Sequence, residues 1–200
     1  MIAFHGQQEI KDRYLARVTA HAQADEIIHG IYWENGKGCA VGCTVHSKYH
    51  GAYETELGIP HLLAYLEDRI FEGMGNGDAK EFPARFLSAI RVGADLSLVW
   101  PRFAVWLLVD PVNGVLRFAR KHSTQWVAIN RVADLYRELK HWDKRDKRAF
   151  KDAYAAYAAN AANAAYAAYA AYAAAAARRT AYRAQADKLI ELLAEAQPAA

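Results

Sequence analysis

Cysteine is scarce in this chain, with two residues in 200, at positions 39 and 43. Two thiols one helical turn apart cannot close a relaxed disulfide. That excludes a disulfide framework and leaves free thiols, metal ligands or buried small side chains. A long apolar run is also missing. The run around Trp106–Val109 falls far short of the ~20 residues that a membrane span requires. No basic, apolar, small-residue signal opens the sequence, so the expected setting is cytoplasmic, with no membrane partner. Overall charge is small too, at +3, but it is unevenly spread. Residues 1–110 carry 10 Lys/Arg against 14 Asp/Glu, and residues 111–200 carry 15 against 8. An acidic front and a basic back either attract each other within one fold or leave the basic half to face a polyanion.

What the chain has in plenty is alanine. Residues 152–177 hold 18 Ala in 26 positions, and from Tyr154 to Tyr172 every third residue is Tyr or Asn. Alanine is the best helix former, so a continuous helix from about Lys147 to Ala194 is expected, its repeat alone spanning roughly 39 Å. At ~100° per residue the five tyrosines fall within one half-turn arc, and Asn160 and Asn163 fall opposite. Tyr182, Ala186, Leu189 and Leu193 then form an ordinary apolar stripe that should dock on another helix.

Helical periodicity dominates the remainder as well. Residues 7–29 read as a helix with the stripe Ile10, Tyr14, Val18 and Ile28, stopped by Gly30. Asn35 to Gly38 break structure, and a second helix is expected from Cys39 to about Tyr49. Pro60 suits the start of a helix over His61–Phe71 that Gly73, Gly75 and Gly77 end. Pro83 then opens a short segment to Ile90, and Pro101 either kinks or starts a helix ending at Asp110. Ser123 or Thr124 caps a periodic helix through Trp126, Ile129, Val132 and Leu139.

Four constellations could carry chemistry. In Trp33–His46, a glycine loop feeding a helix start would aim free N–H groups at an anion, with Gly36, Lys37 and Gly38 as the cradle. The same placement would lower the pKa of Cys39 and make it a nucleophile, with His46 and Glu34 as catalytic partners. The alternative is that small residues let another helix approach, with both thiols buried. Second, Cys39, Cys43, His46 and His50 read C-x3-C-x2-H-x3-H on one helix face, which is zinc-ligand chemistry. Cys39 and His50 would lie roughly 16 Å apart along that axis, so only two or three could share an ion. Third, His21, Asp25 and His29 share the inward face of the first helix. They either complete that metal shell (Cys39, Cys43, His46, His21, Asp25) or form a structural hydrogen-bond network. Fourth, Lys140, Lys144, Arg145, Lys147, Arg148 and Lys151, with Trp142 and Phe150 interleaved, could contact nucleic-acid phosphates, or be a solvated face with internal ion pairs.

The segment Trp33–His46, the stretch Glu56-Leu57-Gly58-Ile59-Pro60 and the alanine-rich tail together resemble a group of uncharacterised bacterial and phage-associated proteins. That resemblance implies a prokaryotic, cytoplasmic setting and a mobile-element origin, and it assigns no functional residue. The sequence thus predicts an all-α protein, with a helical domain over 1–145 and a very long Ala/Tyr-rich helix over 146–200 packed on it or projecting from it. Two functions compete. One is an interaction protein that binds a protein partner or itself through the Tyr/Ala helix, and nucleic acid through residues 137–151. The other is a small thiol- or metal-dependent enzyme, with zinc as the candidate cofactor, acting on an anionic small molecule around Cys39, Cys43 and His46.

Overall fold

The computed structural model describes residues 1–139 and 175–199. It is mostly helical: among the described residues there are eight α-helices and one two-stranded sheet. The chain forms two compact units, one made of Met1–Leu96 with Tyr182–Ala200 and the other of Ser97–Ala181. The composition change near residue 146, where the sequence reading drew its boundary, lies outside the described residues.

In the first unit, α1 (Gln8–Gln23) packs on α2 (Ala40–Val45) and on α5 (Asn76–Ala89). Helices α3 (Ala52–Leu57) and α4 (His61–Gly73) complete the cluster, with β1 (Trp33–Glu34) and β2 (Lys37–Gly38) as an antiparallel hairpin. Its core is built from Phe4, Tyr53, Leu57, Leu63, Phe82 and Phe86, all essentially inaccessible to water. Burying each such side chain contributes about 1.5–3 kcal/mol.

Several boundaries differ from the sequence reading, each for a local reason. Helix α1 stops at Gln23 instead of running to His29. The amide of Asp25 donates to the Ala22 carbonyl and that of Glu26 to the His21 carbonyl, with Asp25 left-handed at φ 59°. This is a Schellman cap with aspartate in the place glycine usually takes. Helix α2 ends at Val45, because His46 turns left-handed (φ 52°) and its amide closes on the Gly42 carbonyl. Helix α5 begins at Asn76 and carries Pro83 inside it. The buried Phe82, Phe86 and Leu87 hold the helix through the lost proline hydrogen bond. Pro60 does precede α4 directly.

The last helix, α8 (Ala175–Glu195), belongs to the first unit from Tyr182 onward. There Ala186, Leu189, Leu192 and Leu193 are buried, the Tyr182 ring lies against Gly73, and Arg85 pairs with Asp187 at 2.9 Å. The upstream part of the expected long helix falls outside the described residues. Residues Gly93–Asp95 are clasped from both sides. Ala3 donates to the Ala94 carbonyl and Gly93 to that of Ala3, while Asp95 donates to Gln197 and Ala199 to Gly93.

The second unit pairs α6 (Val99–Val109) with α7 (Thr124–Glu138) across a core of Phe103, Ala104, Ile129, Val132 and Ala133. Pro101 sits in the first turn of α6, where its missing N–H costs nothing. Ser123 caps α7, its hydroxyl accepting from the Trp126 amide at 3.2 Å. Among the described residues, no helix is long and apolar enough to cross a membrane.

Candidate active site

The segment read as an anion cradle is a hairpin. Asn35 (φ 50°) and Gly36 (φ 81°) both lie in the left-handed region and form its two-residue turn, the arrangement an Asn-Gly pair favours. The Gly38 amide is given to the Glu26 carbonyl at 3.1 Å and the Cys39 amide to that of Ile31 at 2.6 Å, so these donors are already taken. Of the expected cradle Gly36, Lys37 and Gly38, the Gly38 N–H is therefore not free for an anion. Gly38 and Gly42 are small because the chain passes close: a Cβ there would stand 2.2 Å and 1.5 Å from the Tyr32 carbonyl oxygen.

Both thiols are buried. Cys39 caps α2, its sulfur accepting from the Gly42 amide at 3.5 Å. Burial, and then the nearby Asp68 carboxylate, push its pKa up, overturning the expectation of a lowered one. A short helix cannot offset that desolvation. Cys43 is raised to about 12, mainly by burial, and its thiol faces the Gly38 carbonyl at 3.4 Å. Burial thus favours the neutral thiol at Cys39 over the thiolate a nucleophile needs.

The early end of α2 also disperses the expected zinc set. Among the described residues, no three His, Cys, Asp or Glu side chains are arranged to hold a metal ion. Asp25 pairs with Lys80, and His29 reaches the Phe71 carbonyl at 3.1 Å, so neither joins His21. Glu34 is exposed on the hairpin. The basic residues Lys140, Lys144, Arg145, Lys147, Arg148 and Lys151, and the Tyr/Ala repeat, lie outside the described residues.

Two polar clusters form instead. The first joins the two helix ends. His46 Nε2 is 2.7 Å from His21 Nε2, and His21 Nδ1 is 2.6 Å from Glu26 Oε2. Because Glu26 and His21 are the last and first residues of the Schellman cap, the cap itself brings carboxylate and imidazole together. The Trp33 indole stacks on His46 at 4.4 Å and 10°, and meets His21 edge-on at 5.4 Å. Arg17 donates to the Thr44 carbonyl at 3.0 Å and lies over the Tyr14 ring, whose hydroxyl donates to Glu56. The His46 pKa is lowered, first by shielding from water, then by the charge of Arg17 and by His21. The sequence grouped His21 and His46 as members of one candidate metal shell, without Glu26 as their partner. The signal was the five-residue spacing of His21 and Glu26 across a helix end.

The second cluster is buried. Tyr53 donates to Glu67 at 2.8 Å, and His50 Nε2 lies 3.4 Å from Asp68 Oδ2, between the stacked Tyr65 and the edge of Tyr32. Burial holds the Glu67 carboxyl well above the usual carboxylate range. Among the described residues, His50 Nε2, Asp68 Oδ1 and Glu67 Oε1 make no hydrogen bond.

No protein-family model, curated protein or solved structure matches this chain.

Proposed function

We propose that the first unit is a small acid–base enzyme, a hydrolase that activates water at His46 for attack on an anionic small molecule. The observation that carries this reading is the carboxylate–imidazole–imidazole chain ending in an exposed ring. With Glu26 as acceptor, His21 donates from Nδ1, so its Nε2 accepts the Nε2–H of His46. That leaves the lone pair of His46 on Nδ1. This atom takes a proton from water as the new bond to the substrate forms, and returns it to the leaving oxygen. The imidazolium that appears between those steps is stabilised through His21 by the negative charge of Glu26. The lowered pKa keeps His46 unprotonated near neutrality. Arg17 gives one of its five N–H donors to Thr44 and supplies positive charge beside the ring.

The test is turnover of a panel of chromogenic carboxylic and phosphate esters between pH 5 and 9. The expected kcat/KM rises to a plateau through an apparent pKa below ~6.5, and His46→Ala lowers it by about 10²-fold or more. Glu26→Gln lowers it by less. A panel with no turnover, or turnover indifferent to His46→Ala, would overturn the reading.

A further inference from the structure

An opening elsewhere in the first unit has no part in that chemistry. It is a half-open cleft of ≈ 460 Å³, within the roughly 300–1,000 Å³ typical of small-molecule sites. Its floor is apolar, formed by Ile27, Ile28, Phe71 and Ala79, and its remaining lining is Asp25, His29 and Lys80. Glu26, between Asp25 and Ile27 in the chain, turns away to His21.

The lining loop is held in place. Ile28 donates to the Gly38 carbonyl at 2.8 Å, Gly38 returns a bond to Glu26, and the Gly30 amide donates to the Glu72 carboxylate at 2.9 Å. Asp25 keeps a left-handed backbone that only Gly, Asn and Asp visit readily. Such positions persist where the surroundings fix them, and they gather at ligand clamps.

The polar groups are opposite charges side by side. Lys80 Nζ is paired with Asp25 Oδ1, which uses one of three ammonium donors and one of two carboxylate oxygens. His29 donates from Nε2 to the Phe71 carbonyl, and in the imidazole tautomer that does so Nδ1 is an acceptor. A molecule with one charge would satisfy half of this lining. A molecule with an ammonium and a carboxylate on one carbon, and an apolar tail, would satisfy all of it. We infer that the cleft binds a free α-amino acid with an apolar side chain. Its ammonium meets Asp25 and His29, its carboxylate meets Lys80, and its side chain lies on Ile27, Ile28, Phe71 and Ala79.

The experiment is titration of the full chain, followed by NMR shifts, with L-leucine and L-phenylalanine, then with N-acetyl-L-leucine and L-leucine amide. The free amino acids should saturate, and each blocked derivative should bind about tenfold more weakly or worse, since each loses a charge-assisted hydrogen bond. Lys80→Ala, an exposed change that leaves the core intact, should weaken L-leucine but not its amide. Blocked derivatives that bind equally well, no saturable shift up to about 10 mM, or a Lys80→Ala variant that treats leucine and its amide alike would each overturn the inference.

Discussion

Helix α2 is six residues long and has a polar cluster at each end. At its C-terminal end, His46, His21 and Glu26 form a hydrogen-bonded chain with one ring open to solvent. At its N-terminal end, Cys39 lies with His50, Glu67 and Tyr53, all buried, and with the partly buried Asp68. Both clusters contain acids and imidazoles, so residue type does not separate them. Access to water does. The exposed cluster can exchange a proton with a substrate and still keep each charge paired. In the buried one, desolvation pushes the Cys39 thiol and the Glu67 carboxyl toward their neutral forms, which suits a core and not a nucleophile.

The largest expected effect comes from breaking both clusters at once. Gly42→Ala drives a methyl group into the Tyr32 carbonyl, with no flexible side chain to give way. The expected cost is about 3 kcal/mol or more, read as a lowered midpoint in urea unfolding. A midpoint unchanged from wild type would mean that the hairpin does not press on α2 as described. Next is Tyr53→Phe, which removes the donor to Glu67 and leaves a buried carboxyl oxygen unsatisfied. It should destabilise by about 1–3 kcal/mol while leaving esterase turnover at His46 intact. Loss of turnover in parallel with stability would show that the two ends of α2 are not independent.

The smallest and sharpest contrast is in pH. Glu67 holds its proton in the folded chain above the value at which the unfolded chain releases it. Its contribution is therefore complete below about pH 4.3 and is lost as pH rises toward the folded value. His46 behaves oppositely. Its folded pKa is depressed, the unfolded chain binds the extra proton, and stability is lost as pH falls from about 6.5 toward the folded value. Melting temperatures from pH 4.5 to 8 should show Glu67→Gln removing a slope that falls with pH and His46→Asn removing one that rises. Two variants that change the curve in the same sense would defeat the contrast.

The sequence disclosed elements bounded by proline or by a hydroxyl cap: Pro60 ahead of α4, Ser123 ahead of α7, and the leucine stripe of α8. It misled where a helix ended without glycine. Asp25 and His46 both adopt the left-handed backbone that glycine usually signals, so the pattern runs α1 on to His29 and α2 to about Tyr49. Those overlong helices placed Cys39, Cys43, His46 and His50 on one face and His21, Asp25 and His29 on another. The true ends redistribute them: His46 to His21, His50 to Asp68, Asp25 to Lys80. Proline was misleading in the opposite sense at Pro83, where buried phenylalanines carry the helix through it. That His21, His29, His46 and His50 lie in this half of the chain at helical spacings was legible in the sequence. Which groups they meet depended on two caps whose geometry no spacing rule encodes.

The clasp on Gly93–Asp95 bears on how the chain acquires its structure. That segment hydrogen-bonds both to Ala3 and to residues 197–199, and Arg91 reaches the Ala196 carbonyl across 105 positions of sequence. The first unit therefore cannot close on the ribosome as its own ninety-six residues emerge, because the helix that covers it is synthesised after all of the second unit. Such long-range closure raises the contact order and slows folding. Until α8 is released, the surface that will bury Leu189 and Leu193 is exposed. The nascent chain's period of greatest exposure to aggregation thus falls late in its synthesis, between the completion of residue 96 and the arrival of residue 193.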